Sequence, residues 1–275
     1  MTRPTNSYQL ANAARLTALT LCHTKNASHI GGAYSVVDIL AVLYMHILNI
    51  NPRKPDDSRR DRLFYSKGHA SAILYAVLDE MGFLEGYDLK SDFTKDGSFF
   101  TSHVNHKVPG VEFSTGSLGH ALGVACGSAL GGARFNLERS TYAILSDGEL
   151  NEGSNWEAIM FAAHHNLHRL TLIIDYNKIQ SFGRVEEVMQ LEPLAEKFTV
   201  FGWHALEVDG HDHEALHQAL LLKNRDQQRP TVIVAHTIKG KGVSFMEDSL
   251  AWHYKSPNLE QFEQAQRELQ GVKTL

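Results

Sequence analysis

The chain has 275 residues, a formal net charge of −5 and 43% hydrophobic residues. These values are ordinary for a soluble globular protein, and the acidic balance argues against a surface that neutralises many nucleic-acid phosphates. The two cysteines, Cys22 and Cys126, form no C-x-x-C pair and predict no zinc site. The N-terminus lacks the apolar core of a signal peptide, and no apolar run approaches a bilayer-spanning length. We therefore expect a cytoplasmic protein that binds neither membranes nor nucleic acid.

The first third of the chain predicts three helices separated by loops. Apolar side chains recur at helical spacing in residues 10–24, 35–48 and 70–81. Ser35 is the expected N-cap of the second helix, and Gly82 ends the third. The charged, proline-containing segment Pro52–Arg62 predicts a loop, and the stretch Gly86–Gly116 has little periodicity. Irregular segments of that length in compact domains tend to be functional or disordered.

From residue 118 onward, helices and strands alternate. Apolar runs predict strands at residues 141–145, 170–175, 205–208 and 231–235, and helical spacing predicts helices at 118–131, 156–165, 193–201 and 213–223. This alternation predicts a single α/β domain over residues 1–275, with a doubly wound, mostly parallel sheet and helices on both faces. The tail from Pro257 predicts an amphipathic helix with Leu259, Phe262 and Leu269 on its apolar face.

Two predicted strands are followed by side chains that offer hard oxygen ligands. Asp147 and Asn177 follow neighbouring strands at a separation of 30 residues, which fits one crossover helix between parallel strands. Parallel strands end at one edge of the sheet, where ligands bind, and Mg²⁺ takes oxygen ligands that are often completed by phosphates. An Asp-Gly pair and a strand-end Asn are each also typical of ordinary turns. The pair alone leaves both interpretations open, and other motifs decide between them.

The two segments resemble the thiamine diphosphate motif, in which Gly-Asp-Gly is followed one crossover later by Asn-Asn. Here the motif is present as Ser146-Asp147-Gly148 and Tyr176-Asn177. The first Gly and the first Asn of the pattern are replaced, whereas the metal-binding Asp and the final Asn are retained. We therefore expect a functional site in which Ser146 slightly alters the approach of the backbone.

Further motifs extend the resemblance over most of the chain. Four glycine-containing segments occur in the order found in transketolases: Ser28-His29-Ile30-Gly31-Gly32, Ser66-Lys67-Gly68-His69-Ala70, Ser114-Thr115-Gly116-Ser117-Leu118-Gly119 and Lys239-Gly240-Lys241-Gly242-Val243. The run from Asp147 to Ala158 is similar to the N-terminal subunits of split, two-chain transketolases. The chain thus resembles the thiamine-diphosphate-binding half of such an enzyme, and the resemblance implies the thiamine diphosphate-binding fold of the diphosphate-domain type.

The resemblance implies a ketol transfer and a set of cofactor ligands. Transketolases move a two-carbon ketol unit from a ketose to an aldose, with thiamine diphosphate as the electron sink. By motif, the metal ligands are Asp147, the Asn177 side chain and the Ile179 carbonyl, with Mg²⁺ as the expected ion and Ca²⁺ or Mn²⁺ as substitutes. The same motifs assign cofactor contacts to His69, Gly116, Ser117, Leu118, Gly148, Asn177 and His253.

Four histidines are the catalytic candidates that the resemblance implies. His29 and His103 match histidines that line the substrate channel, bind hydroxyls and relay protons. His69 matches the histidine near the diphosphate, and His253 the one shared between substrate and cofactor. The family's Gly-His-Pro is Ser102-His103-Val104 here, which makes His106 an alternative to His103 and predicts a change in substrate preference.

The resemblance also implies a second chain. The glutamate that activates the cofactor lies in a pyrimidine-binding domain, for which we find no second α/β unit in this sequence. We expect a C-terminal partner subunit, an α₂β₂ heterotetramer and sugar or sugar-phosphate substrates, with the pentose phosphate pathway as the default. Glu152 matches an acidic residue at the contact between subunits, although a solvated acid at a helix N-terminus is the alternative.

Three other functions are considered. The α subunit of a thiamine-dependent 2-oxo acid dehydrogenase lacks this series of channel histidines. The 1-deoxyxylulose-5-phosphate synthase class carries both domains on one chain. A non-catalytic homologue that kept the fold is expected to have lost Asp147, Asn177 or His69, all of which are present.

Overall fold

A computed structural model of the chain describes residues 3–221 and 226–271, whose strands form one parallel sheet. The strands are β1 (Arg62–Tyr65), β2 (Thr141–Ser146), β3 (Leu170–Tyr176), β4 (His204–Asp209) and β5 (Thr231–His236). Their order across the sheet is β1-β2-β3-β5-β4, and every neighbouring pair is parallel. All carboxyl ends of the strands therefore lie along one edge.

The α-helices of the described residues are α1 (Ser7–Lys25), α2 (Ile30–Val42), α3 (Ser71–Glu80), α4 (Leu89–Asp92), α5 (Ala121–Arg134), α6 (Gly153–His164), α7 (Val185–Val188), α8 (Leu194–Val200), α9 (His213–Leu220) and α10 (Leu259–Gly271). A π-helical turn, Leu43–Ile47, extends α2, and 3₁₀ turns occur at Gly68–Ala70, Gly148–Asn151 and Leu250–His253.

Helices cover both faces of the sheet, because successive strand residues point in opposite directions. Tyr142 and Ile144 of β2 pack into a core with α1, α2, α3, α9 and α10. Ala143 and Leu145 of the same strand pack into a second core with α5, α6 and α8. The predicted doubly wound α/β sheet is confirmed. The four strands predicted from apolar runs are present within one residue of their expected ends.

In the first third of the chain, the sequence misses one strand and places one helix start wrongly. Strand β1 begins at Arg62, the last residue of the predicted loop, and its other three residues have no predicted element, because four residues beside a charged segment give little periodicity. Helix α2 begins at Ile30 rather than near Ser35, so Ser35 is not an N-cap. It lies inside the helix, is fully buried, and its hydroxyl donates to the Asp175 carboxylate at 2.6 Å.

Other helix ends differ by a few residues. Helix α5 begins at Ala121 rather than 118, because Gly119 adopts a left-handed conformation with φ +84°. Helix α9 ends at Leu220, and the last residues of the helix predicted over 213–223 lie outside the described part of the chain. In α10 the buried residues are Ala265 and Leu269, whereas Leu259 is 62% exposed.

The expectation that no apolar run reaches bilayer-spanning length is also wrong. Residues 30–47, which comprise α2 and its π-helical turn, are 18 residues long with a mean hydropathy of 1.6. By length and composition this segment resembles a membrane span, but 83% of it is buried inside the protein. It is the central helix of the first core, packed between α1, α3 and α9.

A buried carboxylate fixes the position of α2. Asp38 accepts hydrogen bonds from Arg15 at 2.7 Å, His211 at 2.7 Å and His213 at 3.2 Å. His211 in turn accepts from the Ile238 amide at 2.8 Å, so its neutral form donates to Asp38. The Arg15 guanidinium and the two histidine hydrogen bonds outweigh burial and hold the pKa of Asp38 well below its usual range. The carboxylate thus joins α1, α2, the β4–α9 loop and the loop that follows β5.

Substitution of Asp38 tests this junction. We expect Asp38→Asn to lower the free energy of unfolding by about 3–5 kcal/mol, because it leaves the buried Arg15 charge without its partner. Chemical denaturation measured by circular dichroism gives the value. Lys95→Ala, which breaks the exposed ion pair with Asp92, is the control and should change stability little. An Asp38→Asn variant as stable as the control would contradict the assignment.

Candidate active site

A crevice of about 460 Å³ opens at the carboxyl edge of the sheet. Its size is within the usual range for small-molecule sites. It is lined by segments that follow β1, β2, β3 and β5, together with the start of α2. The lining residues are His29, Gly32, Lys67, His69, His103, Gly116, Leu118, Ser146, Asp147, Gly148, Asn151, Glu152, Asn177, Ile179, Gln180, Ser181, Phe182, Val188, Lys239 and His253.

Asp147 and Asn177 lie side by side, as expected from their spacing. Strands β2 and β3 are neighbours, with Ser146 in register with Asp175. One carboxylate oxygen of Asp147 accepts the Lys178 amide at 2.6 Å, and the other accepts the Gly148 amide at 2.7 Å. Both side chains are buried in the lining of the crevice.

Asp147 has the character of a cation ligand. Burial, and next the nearby Asp175 charge, raise the pKa of the Asp147 carboxyl to about 6. The surroundings of Asp147 therefore disfavour its negative charge, and a bound cation would stabilise the ionised carboxylate. Asn177 contributes an amide oxygen beside it, which now accepts the Ile179 amide at 3.1 Å. Hard oxygens of this kind fit Mg²⁺.

The third predicted ligand already has a cation next to it. The carbonyl of Ile179 accepts a hydrogen bond from the Lys239 ammonium group at 2.9 Å. A divalent ion and an ammonium group repel each other, so they do not share this carbonyl at the same time. Within residues 3–221 and 226–271, no group of three or more His, Cys, Asp or Glu side chains could hold a metal. The candidate site depends instead on one carboxylate, one amide and one carbonyl.

The four predicted histidines converge on one wall of the crevice. The ring centroid of His29 lies 5.3 Å from that of His69, 5.1 Å from His253 and 6.3 Å from His103. His69 and His253 are 6.1 Å apart and nearly parallel. These residues come from sequence positions far apart, so the convergence is a property of the fold.

Three of these histidines are held in the neutral form. Burial lowers the pKa of His29 to about 4 and that of His253 to about 3, and it places the pKa of His69 well below its usual range. Nearby cationic groups, including Lys67 and Lys239, add to each shift. A neutral imidazole has one N–H donor and one acceptor nitrogen, which suits hydrogen bonding to hydroxyls and to anion oxygens near neutral pH.

The loops of the crevice pack backbone against backbone. A Cβ atom on Gly68 would lie 2.3 Å from the Thr115 carbonyl, and one on Gly116 would lie 2.8 Å from the His103 ring. Val104 donates its amide to the Gly68 carbonyl at 3.0 Å, and its carbonyl accepts from Thr115 at 3.1 Å. Proline at position 104 could not donate that bond. Valine in place of the family's proline therefore adds a backbone hydrogen bond between the segment that contains His103 and the segment that contains His69.

Two candidates lie outside the crevice. The Ser117 side chain is exposed and does not line the cavity, although Gly116 and Leu118 on either side of it do. His106 is also exposed and pairs with the Ser114 hydroxyl at 2.7 Å, so it does not replace His103. Glu152 lies exposed at the rim of the crevice, where its predicted role in a subunit contact stays a prediction.

Two lysines and an aspartate belong to the site without having been expected from the sequence. Lys67 forms a buried ion pair with Asp175, and it also donates to the Gly32 carbonyl at 2.7 Å. Lys239 contacts His253 Nδ1 at 3.0 Å, and burial, followed by the Lys67 charge, lowers the pKa of its ammonium group to about 8. Both lysines lie in glycine-containing motifs. Their burial has no signal in the sequence, since lysines are usually exposed.

The fold and the crevice define a class: α/β proteins that bind a ligand beyond the carboxyl ends of parallel strands. The chain matches the family described as transketolase, thiamine diphosphate binding domain, over residues 6–272. It belongs to this family, as the motifs indicated. The match decides against the 2-oxo acid dehydrogenase alternative.

Two curated relatives are subunits of similar length. An apulose-4-phosphate transketolase subunit of Phocaeicola vulgatus is 39% identical over 90% of this chain and 88% of its own length. The 6-deoxy-6-sulfo-D-fructose transketolase subunit SqwG of a Clostridium species is 38% identical over 94% of both chains.

Solved structures of longer transketolases share the fold. The Campylobacter jejuni enzyme superposes with a TM-score of 0.89 at 30% identity, over 98% of this chain and 43% of that chain. The Leishmania mexicana enzyme gives a TM-score of 0.88 at 29% identity, over 96% and 41%. This chain therefore spans about two-fifths of the length of these enzymes.

The depressed histidine pKa values predict a pH dependence of stability. The pKa of His29 is about 4 in the folded chain and 6.5 when unperturbed. Between these values the unfolded chain binds a proton that the folded chain does not, so stability is present above pH 6.5 and falls as the pH drops toward 4. His29→Asn should flatten this dependence, and Asn tolerates the φ of +73° at this position.

The measurement is the denaturation midpoint at about pH 7 and about pH 5, with a chelator present. His164→Asn, at an exposed histidine of α6, is the matched control and should keep the wild-type slope. Equal slopes for His29→Asn and wild type would show that His29 titrates normally.

Proposed function

We propose that this chain is the thiamine-diphosphate-binding subunit of a two-chain transketolase, active once a companion chain is bound. The observation that supports it most is that one crevice brings together the oxygens of Asp147 and Asn177 with the four histidines. Family membership and the two subunit relatives support the same conclusion. We expect the protein to act in the cytoplasm.

In this proposal Asp147, Asn177 and the Ile179 carbonyl would hold Mg²⁺ beside the diphosphate, and the Lys239 ammonium group, which donates to that carbonyl in the free chain, would turn to the diphosphate instead. Gly148 suits the approach of a phosphate, because a Cβ there would already press on Gln180 at 3.1 Å. Gln180 supplies a buried side-chain nitrogen that has no hydrogen-bond partner among the described residues. Lys239 places an ammonium group in the lining, which favours an anion, whereas Asp175 balances the charge of Lys67.

The cofactor supplies the carbanion and electron-sink chemistry, and this chain supplies binding and proton transfer. His69 and His253 lie beside the lysines and are neutral, so they donate to diphosphate or substrate oxygens without adding charge. His29 and His103 continue the same wall towards solvent, and His103 is the most exposed of the four. They are placed to bind sugar hydroxyls and to exchange protons with them.

A companion chain is part of the proposal. The relatives named as transketolase subunits have nearly the length of this chain, whereas the longer transketolases carry more than half of their residues elsewhere. We expect the companion to bring the activating glutamate, to close the crevice and to form an α₂β₂ assembly in which Glu152 lies near the contact. The substrate class proposed here is a ketose with a terminal phosphate or sulfonate, following the relatives' printed substrates. Pentose phosphates are the default members.

Reconstitution tests the proposal as a whole. The chain alone, with Mg²⁺ and thiamine diphosphate, should show no ketol transfer, and addition of its companion should restore turnover with a ketose donor. A panel of phosphorylated, sulfonated and neutral ketoses then identifies the donor. Full activity of the chain by itself, or activity of the pair with 2-oxo acids alone, would contradict the proposal.

Asp147 gives the sharpest single-residue test. Asp147→Asn should weaken Mg²⁺-dependent thiamine diphosphate binding by at least about 100-fold, because it removes the anionic metal ligand. The variant should still fold, although Asn keeps only one acceptor oxygen and leaves either the Gly148 or the Lys178 amide without its acceptor, which should lower the free energy of unfolding by about 1–3 kcal/mol. Isothermal titration calorimetry measures the binding. Asp212→Asn is the matched control, because Asn caps helix α9 as well as Asp does. Equal binding by both variants would place the metal elsewhere.

A further inference from the structure

We propose that Glu149 is a positioning residue that fixes the cofactor-lining loop Ser114–Gly119 against the Asp147-Gly148 turn and the Ser66–His69 segment. The inference rests on the proposed function and deepens it. Glu149 does not line the crevice and is fully buried. It therefore acts through other residues and touches neither cofactor nor substrate.

The Glu149 carboxylate connects three segments at one oxygen. Its Oε1 atom accepts the Ser66 hydroxyl and also the Gly119 amide, the latter at 2.9 Å. Ser66 directly precedes Lys67 and continues β1, because its own amide donates to the Ile144 carbonyl at 2.9 Å. Glu149 itself lies in the 3₁₀ turn that begins one residue after Asp147. A single side chain thus joins the ends of β1 and β2 to the loop before α5.

Both backbone groups of Gly119 are hydrogen-bonded, one to the 3₁₀ turn that contains Glu149 and the other to the start of helix α6. Its amide donates to Glu149, and its carbonyl accepts the Ser154 hydroxyl at 2.6 Å. It also adopts φ +84°, and a Cβ atom there would lie 2.6 Å from the Ser154 oxygen. This fixed end sets the position of Leu118 and Gly116, the two residues of the loop that line the crevice.

Burial of the Glu149 carboxylate costs free energy, so we infer that its contribution is to position the neighbouring segments and not to stabilise the fold. The second carboxylate oxygen, Oε2, is buried and has no hydrogen-bond partner among residues 3–221 and 226–271. A buried polar atom without a partner is unfavourable, and an apolar residue of similar size would avoid that cost. What an apolar residue lacks is the acceptor for Ser66 and Gly119.

The test compares Glu149→Ala with Glu149→Gln, which retains an acceptor oxygen in a side chain of the same length. Thiamine diphosphate affinity is measured by calorimetry with Mg²⁺ on the reconstituted pair, and amide hydrogen exchange is measured on the chain without cofactor. We expect Glu149→Ala to weaken the affinity by roughly 10–100-fold and to speed exchange of residues 114–120 by about tenfold or more. The KM for the ketose should stay within about twofold. Glu149→Gln should keep most of the wild-type cofactor affinity and most of the protection of residues 114–120 from exchange.

Thr171→Ala is the control for a general loss of packing, because Thr171 is fully buried in β3 and its hydroxyl has no partner among the described residues. It should leave exchange of residues 114–120 and cofactor affinity near wild type. If Glu149→Ala does not fold, Ser66→Ala removes one of the two donors and should give a smaller loss of affinity in the same direction.

The outcomes separate the inference from the proposed function. If the wild-type pair neither binds thiamine diphosphate nor transfers a ketol unit, the proposed function fails. If the wild-type pair works but Glu149→Ala and Ser66→Ala keep wild-type affinity and exchange, the positioning role fails. The positioning role also fails if Glu149→Gln loses as much as Glu149→Ala, or if exchange rises equally across β2 and β3.

Discussion

The site depends on the carboxylate of Asp175, at which four segments of the chain meet. Asp175 lies in β3, is fully buried and pairs with Lys67 from the segment after β1. It also accepts the hydroxyls of Ser35, from inside α2, and of Thr237, from the segment after β5. A buried ion pair is weak evidence for net stability, but loss of one partner is costly. The arrangement therefore specifies how α2 and three strand ends come together, and these elements carry the crevice.

The electrostatic state of the crevice follows from this junction. Asp175 balances Lys67, yet its charge also raises the pKa of Asp147, which is left without a full counter-charge. The lysines in turn disfavour protonation of the neighbouring histidines. The result is a buried carboxylate suited to a divalent ion, the Lys239 ammonium group suited to an anion, and neutral imidazoles beside them. Burial at this edge of the sheet is the largest cause of the pKa shifts of Asp147, His29 and His69.

The sequence predicts the parts of this site that depend on local pattern. The separation of Asp147 and Asn177 places both at one edge of a parallel sheet, and the family motifs indicate that the four histidines belong to one site. Close packing of glycine at positions 68 and 116 is consistent with those motifs.

The features that the sequence does not predict depend on contacts between distant segments. Lys67 and Asp175 are 108 positions apart, and Lys239 is 60 positions from the Ile179 carbonyl, so no local pattern reveals their burial. Strand β1 escapes prediction because four residues beside a charged loop give little periodicity. Ser35 has the residue type of a helix start, whereas tertiary contact with Asp175 holds it inside α2. Ser117 matches a cofactor-lining motif, but the turn at Gly119 leaves its side chain in solvent.

The most direct test of the account is a crystal structure of the chain with its companion, grown with Mn²⁺ and thiamine diphosphate and measured at the manganese absorption edge. The account predicts one anomalous peak for each copy of this chain, within coordination distance of Asp147, Asn177 and the Ile179 carbonyl. The diphosphate should be bound next to that peak, on the side of the crevice. A peak at a different group of side chains, or diphosphate bound away from the Asp147 turn, would contradict it.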